Sequence, residues 1–174
     1  MFVAFVRLGD ERDVGLGANA AENLPKRPAA RGGEEDRMTP RQIALVRRSW
    51  QRVLPIADAA GELFYRRMFE LEPSLAGMFS VGVAEQGRKL MDILGIVVAR
   101  LDRLDELVPA VRELGRRHAT YGVERKHYDI GGIALLDTLR AGLGDELSGE
   151  TAEAWAVAYA TLAGVMQDAT AAAA

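Results

Sequence analysis

Cysteine is absent from the 174 residues, and histidine occurs only twice, as His118 and His127. Without thiols there can be no disulfide, no thiolate metal site and no thiolate axial ligand, so any bound metal must rely on nitrogen or oxygen donors. Long apolar runs are missing as well. The opening stretch MFVAFVRLG is broken at Arg7, too short for the apolar region of a secretory signal, and no segment approaches the roughly 18 apolar residues of a membrane span. These absences, with a cysteine-free composition that suits a reducing compartment, lead to the expectation of a cytoplasmic protein with no membrane partner. Charge of neither sign dominates: 22 Lys and Arg stand against 25 Asp and Glu, for a net charge of -3. The basic residues alternate with acids, leaving no stripe that would attract a phosphate backbone, so no nucleic-acid partner is expected.

Three segments differ in character. Residues 1–37 pass from a short apolar start into a stretch rich in Pro, Gly and charge, a composition that buries too little surface to offset ordering entropy. They are expected to be a disordered extension or to precede a mis-called start, since Met38 stands directly before the first helix signal. Gly15, Gly17 and Ala20 match the spacing of a dinucleotide-binding turn, but that motif has meaning only between a strand and a helix. Too little chain precedes it to form the strand. Residues 38–168 read as one helical domain, and residues 169–174 as a disordered Ala-rich tail.

Within 38–168 the apolar period is helical throughout, and nowhere does it alternate by two over a useful length, so no strand is expected. Thr39-Pro40-Arg41-Gln42 reads as a capping box with proline at the first helical position. Ile43, Val46, Trp50 and Val53 share a face before Pro55 interrupts, and Leu63, Phe64, Met68 and Phe69 follow until Pro73 opens a short turn to Phe79. Further stripes run through Leu90, Leu94, Val97 and Leu101, then Leu107, Val111, Leu114 and Tyr121, then Ile130, Ile133, Leu136 and Leu143. A last helix after Ser148 packs Trp155, Tyr159, Leu162 and Met166. The fold class is therefore all-α, with six or seven helices joined by short links.

Polar residues on apolar stripes are the informative exceptions. His118 lies four residues after Leu114 and three before Tyr121, which puts its imidazole on the buried face. Taken alone, it reads more readily as a core histidine bonded to a backbone carbonyl. Gln86, four residues before Leu90, extends the stripe of its helix, and Tyr65, between Phe64 and Met68, can aim its hydroxyl inward. Each of these also has an ordinary structural reading. Gly61, one turn before Tyr65, and Gly87, directly after Gln86, are small enough to let their two helices cross closely and bring the phenol and the carboxamide together.

These residues resemble the globin family, specifically bacterial single-domain globins related to the haem domain of flavohaemoglobins. Leu63 to Phe69 is similar to the family's distal-tyrosine helix, and Leu71-Glu72-Pro73 with Met78-Phe79 to the corner whose phenylalanine packs on haem. Glu85-Gln86 with Arg88 to Met91 resembles the distal-glutamine helix, and Leu114 to His118 with Tyr121-Gly122-Val123 the proximal one. His127-Tyr128 with Gly132, and Ala154-Trp155 with Ala158-Tyr159, extend the match over about Met38 to Gln167 in family order.

The resemblance implies a globin fold around a haem pocket, with haem b as cofactor and His118 as the iron ligand. It also implies that Phe79 and Leu90 wall the porphyrin, that Leu114 and Val123 line the proximal side, and that Lys89 meets a propionate. Tyr65 and Gln86 would then donate to bound O2, NO or CO. Two donors beside a gas that carries partial negative charge should slow its release, which favours nitric oxide dioxygenation to nitrate over transport. No flavin domain is visible in the chain, so a separate reductase is expected to supply electrons. Tyr128 matches a tyrosine of the family's proximal side, while the Ala-rich end offers no carboxylate where the family supports its histidine, and Asp168 would substitute only in a shifted helix. His127 is expected to have no ligand role. Two further readings stay open, a haem-based sensor acting on a partner protein and a haem-free helical interaction module. The protein is expected to be a monomer or homodimer.

Overall fold

The computed structural model describes residues 37–79 and 82–171. The expected extension up to residue 36, including the Gly15–Ala20 motif, lies outside the described residues. Six α-helices follow in order: α1 Pro40–Val53, α2 Ala57–Leu71, α3 Val83–Ala99, α4 Val108–Thr120, α5 Arg125–Leu143 and α6 Gly149–Ala171. Short 3-10 turns at Leu54–Ile56, Pro73–Met78, Leu101–Glu106 and Gly144–Glu146 connect them, and no strand occurs among the described residues. The all-α expectation and the helix count hold.

The first helix begins where its chemistry places it. The Thr39 hydroxyl accepts from the Gln42 amide at 3.2 Å, and the Gln42 side chain accepts from the Thr39 amide at 2.8 Å, so two otherwise orphaned donors are satisfied. Arg37, read as part of the extension, instead pairs with Asp105 at 2.7 Å, and Met38 joins the core. Pro55 and Pro73 each open a 3-10 turn, as a residue lacking an N–H must at a helix start.

The core is built from Val46, Trp50 and Val53 of α1, Phe64 and Met68 of α2, Leu94 and Val97 of α3, Leu135 and Leu139 of α5, and Ala154 and Trp155 of α6. A buried polar bridge joins α1 to α6: the Trp155 indole donates to the Ser49 hydroxyl at 2.9 Å, and that hydroxyl turns back to the Leu45 carbonyl at 2.9 Å. Arg47 reaches the carbonyls that close α3, at Val98 and Ala99, and pairs with Asp102, so a cation sits at the negative end of the helix.

Two expectations are corrected. In α5 the most buried positions are Tyr128, Ala134, Leu135, Thr138 and Leu139, rather than the stripe of Ile130, Ile133, Leu136 and Leu143, of which only Leu143 is fully buried. Small residues let neighbouring helices approach on a side that carries little apolar signal. The helical domain also extends beyond 168: α6 continues to Ala171 with Ala169 only 7% exposed. Alanine has the highest helix propensity, and this run has packing to hold it.

Helix contacts define the architecture. α2 packs chiefly on α3 and α5, whereas α4 packs chiefly on α6. At the α2–α3 crossing a Cβ on Gly61 would lie 2.7 Å from the backbone of Gly87, and one on Gly87 would lie 2.7 Å from Gly61. The backbones touch because neither residue has a side chain. Gly61→Ala is therefore expected to destabilise the fold by about 1–3 kcal/mol through overpacking, measured by urea unfolding. Gly77→Ala, with nothing within 4 Å of its added methyl, should stay within about 0.5 kcal/mol of the parent. Equal midpoints for the two variants would show that the crossing tolerates a side chain.

Candidate functional site

The Gly61–Gly87 contact fixes one side of the site. Tyr65 lies one turn after Gly61 in α2, and Gln86 directly precedes Gly87 in α3, so the crossing brings the helix positions carrying phenol and carboxamide together. Tyr65 meets Phe79 edge-on with ring centroids 5.3 Å apart, and Phe69 packs on Phe79 at 5.4 Å. Tyr65 and Phe79, 14 positions apart in sequence, thus belong to one aromatic cluster. Burial pushes the Tyr65 phenol up to about 12, so it is a protonated donor at neutral pH.

The other side is the last turn of α4. Gly122 adopts a φ of 78°, the left-handed region in which only glycine is free of strain. Its amide donates to the Ala119 carbonyl at 3.0 Å, and that of Val123 to the His118 carbonyl at 3.0 Å, the paired bonds of a Schellman closure. His118 is therefore held in a turn locked from beyond its end, with the Val123 amide on its carbonyl. Its Nδ1 lies 2.8 Å from the Leu114 carbonyl, which requires the proton on Nδ1 and leaves Nε2 with its lone pair. Burial lowers the imidazole's pKa, outweighing the Leu114 bond that raises it, so the neutral form prevails. Tyr128 stacks beside it with centroids 6.1 Å apart and planes 25° apart. Leu114, His118, Val123 and Tyr128 thus lie together at this helix end.

Other expected positions are more ordinary. Leu90 is a half-buried member of the core's edge. Lys89 pairs with Glu85 one turn earlier at 2.7 Å; an exposed pair of this kind contributes only about 0.3–0.5 kcal/mol, so the ammonium is easily released to another anion. His127 has a structural duty: its Nδ1 accepts from the Glu124 amide at 2.9 Å, capping α5. A cleft of about 320 Å³ between α1, the 101–106 turn, α4 and α6 is lined by Ile43, Leu104, Val108 and Leu162 among others. It lies at the opposite end of α4 from His118 and gathers none of the expected site residues.

Two supporting contacts escaped the sequence reading. A Cβ on Gly115 would overlap the Met166 backbone, so α4 and α6 cross with no side chain between them. Tyr159 donates to the Tyr128 carbonyl at 2.6 Å, through space left open at Gly131. Only the glycine and tyrosine letters signal these contacts, and no periodicity pairs them.

The donor set fits a haem. Among the described residues the Tyr65 hydroxyl, the Gln86 amide and His118 Nε2 have no protein hydrogen-bond partner, and all three residues are partly buried. None of the three is among the buried side-chain atoms left without a partner, so each is open to water or to a ligand entering beside it. α3 and α4, which carry Gln86 and His118, have their main packing partners elsewhere, on α2 and α6. An apolar wall with a neutral imidazole at one side and two neutral donors at the other suits a flat, largely apolar metal chelate.

The architecture is that of an all-α protein with the globin arrangement of helices. The family model for Globin matches residues 62–166. The chain is 32% identical over 122 residues to a flavohemoprotein of Vibrio cholerae, covering 66% of this chain and 31% of the relative. It is 30% identical over 132 residues to a flavohemoprotein of Bordetella parapertussis, covering 74% and 33% respectively. The chain thus spans about a third of the length of these relatives. Among solved structures, a bacterial globin from Campylobacter jejuni superposes with a TM-score of 0.68 at 24% identity, covering 77% of this chain and 97% of that one. The chain belongs to the globin family, and that membership implies haem binding. No helix among the described residues is long and apolar enough to cross a membrane.

The histidines give the apoprotein a pH signature. Burial lowers both, against the Glu124 and Glu72 charges that raise His127. A histidine whose folded pKa lies below its free value of 6.5 takes its proton in the unfolded chain first, so stability present above 6.5 is lost as pH falls through the folded value. The depressed carboxylates, such as Glu72 and Glu113, stay ionised until far lower pH. The urea midpoint of the apoprotein should therefore drop between about pH 7.5 and 5.5, with a smaller drop in His118→Leu. A flat profile would show that neither ring is buried neutral.

Proposed function

We propose that this globin holds haem b on His118, binds dioxygen, nitric oxide and carbon monoxide, and converts nitric oxide to nitrate with electrons from a separate reductase. The observation that carries the reading is the 2.8 Å contact between His118 Nδ1 and the Leu114 carbonyl, which orients a neutral imidazole and leaves Nε2 as its only free donor atom. When bound, haem supplies a ferrous iron that takes a diatomic gas and passes electron density onto it. Every other contribution comes from the chain.

On the proximal side, His118 presents Nε2, while Leu114, Val123 and the stacked Tyr128 limit the ring's rotation. Opposite, Phe79 and Leu90 form apolar walls that exclude water, and Lys89 can exchange Glu85 for a propionate at the rim. Tyr65 and Gln86 donate to the gas. Hydrogen bonds to a charged acceptor in a dry site contribute roughly 1.5–3 kcal/mol each, so two of them favour a ligand that bears negative charge and hold it against escape. Slow release makes a poor carrier but leaves time for nitric oxide to react. The reaction balances as NO plus O2 plus one electron to nitrate. Among the described residues the His118 Nδ1 proton goes only to the neutral Leu114 carbonyl, so the imidazole itself stays neutral rather than becoming strongly electron-donating. The flavohemoproteins that resemble this chain support the reading by name and by the matched third of their length.

Titration with haemin tests the ligand. One equivalent should give an intense Soret band, and His118→Ala should weaken it while His127→Ala leaves it intact. A band that survives without His118 would contradict the assignment. Tyr65→Phe should raise the dioxygen dissociation rate about tenfold or more, corresponding to at least roughly 1.4 kcal/mol for the lost bond. Flash photolysis or ligand displacement reads this rate; no change would mean that the phenol does not reach the gas. Rapid mixing of the oxygenated protein with nitric oxide should yield ferric protein and nitrate at once, whereas slow conversion would favour a sensing role.

A further inference from the structure

Arg47 and Trp50 fix how α1 lies against α3. The Arg47 guanidinium donates to the Val98 carbonyl at 3.2 Å and to the Ala99 carbonyl at 2.9 Å, while the Trp50 indole sits beneath Gly95. Moving forward along α1 therefore means moving back along α3, so the two helices run antiparallel at this seam. A groove of about 410 Å³ follows it, lined by Arg47, Arg48, Trp50, Gln51, Gly95 and Val98 among others. Small-molecule sites span roughly 300–1,000 Å³ and set a few polar groups over an apolar lining.

The floor of this groove holds a donor. A buried indole N–H ordinarily finds an acceptor, as that of Trp155 does at Ser49. Trp50 is only 4% exposed, yet among the described residues its indole nitrogen has no hydrogen-bond partner. The fully enclosed side-chain atoms without a partner are the Tyr128 and Thr138 hydroxyls, so the Trp50 nitrogen is not sealed in and opens on the groove. Gly95 makes that opening: a Cβ there would lie 3.9 Å from the indole nitrogen and 3.6 Å from Cζ2, covering the edge of the ring. The rim is positive. No acid lines the groove among the described residues, and while Arg47 is balanced by Asp102, the exposed Arg48 has no such partner. Gly95, Val98 and Ala99 offer no polar side chain, and Ile96, directly after Gly95, stands 47% exposed.

We propose that the α1–α3 groove is a binding site for a monocarboxylic acid with an apolar chain. One carboxylate oxygen accepts from the Trp50 indole, the other meets the Arg48 guanidinium, and the chain lies along Gly95, Val98 and Ile96. The chemistry selects this class. A carboxylate brings two acceptor oxygens to one N–H and one unpaired guanidinium, whereas a phosphate would bring more charge and more acceptors than these donors satisfy over an apolar floor. A neutral apolar molecule would leave both donors unused. The site shares no residue with Tyr65, Gln86 and His118, and it does not rest on haem ligation.

The test follows the indole N–H resonances of the purified full chain, reduced and under carbon monoxide, by heteronuclear NMR. The chain has 2 tryptophans, so two indole peaks are expected, and Trp50→Phe assigns them by removing one. Sodium decanoate, kept below its micelle concentration, should move the Trp50 peak downfield to a saturating value and leave the Trp155 peak in place. Arg48→Ala should raise the half-saturating concentration about threefold to fivefold, the effect of an exposed ion pair. Gly95→Ala should weaken binding at least as much; its methyl makes only an ordinary contact with the indole at 3.6 Å, so the fold is kept. Arg52→Ala, which removes a cation paired with Glu146 outside the groove, should bind as the parent does. An unmoved Trp50 peak, or parental affinity in both Arg48→Ala and Gly95→Ala, would overturn the proposal. So would saturation by decanol, acetate or inorganic phosphate as readily as by decanoate.

Discussion

Two places where backbone meets backbone organise the molecule. At Gly61 and Gly87 the α2 and α3 chains touch, and at Gly115 and Met166 α4 lies directly on α6. Each contact draws one wall of the site onto a helix behind it, α3 onto α2 and α4 onto α6. Close packing normally eliminates voids, since each methylene-sized gap costs on the order of 1 kcal/mol. α3 and α4 have their main partners behind them, so drawing the two helices onto one another would break those contacts. The glycines are thus a condition for holding the two walls apart as well as for the crossings.

The site's polar groups follow from this arrangement. Among the described residues only Nδ1 of the half-buried His118 imidazole has a partner. The phenol of Tyr65, pushed up to about 12 by burial, and the carboxamide of Gln86 are likewise without protein acceptors. A ligand that pairs these groups binds the folded chain and not the unfolded one, so binding is expected to stabilise the fold. The Schellman closure after His118 and the capping box before Tyr128 hold the proximal residues on closed helix ends.

Much of this was legible in the sequence because it is written in local signals. Thr39 and Gln42 announce a helix start by their spacing, Pro55 and Pro73 announce breaks, and Gly61 and Gly87 stand out beside two polar residues on apolar faces. The convergence of Leu114, His118, Val123 and Tyr128 could be read from family order. Contacts made by small residues across long separations could not. Gly115 against Met166, Gly131 against Tyr159, and the alanine-lined interior of α6 carry no apolar period, so the stripe expected on α5 was displaced toward Ile130 and Ile133. The end of α6 was misplaced for the same reason: an alanine run looks featureless until a neighbouring helix covers it. Ser49 illustrates a third kind of omission, since a serine in a helix gives no hint that an indole 106 residues later will donate to it.

The account's central claim is that the space between α3 and α4 accepts a porphyrin with its iron on His118. A crystal structure of the haemin-reconstituted protein tests it directly. The account predicts iron bonded to Nε2 of His118, Nδ1 still hydrogen-bonded to the Leu114 carbonyl, and Tyr65 and Gln86 on the opposite face, with both glycine crossings unmoved. Iron bound by His127 or by any other residue, or a porphyrin lodged outside the α3–α4 space, would contradict it.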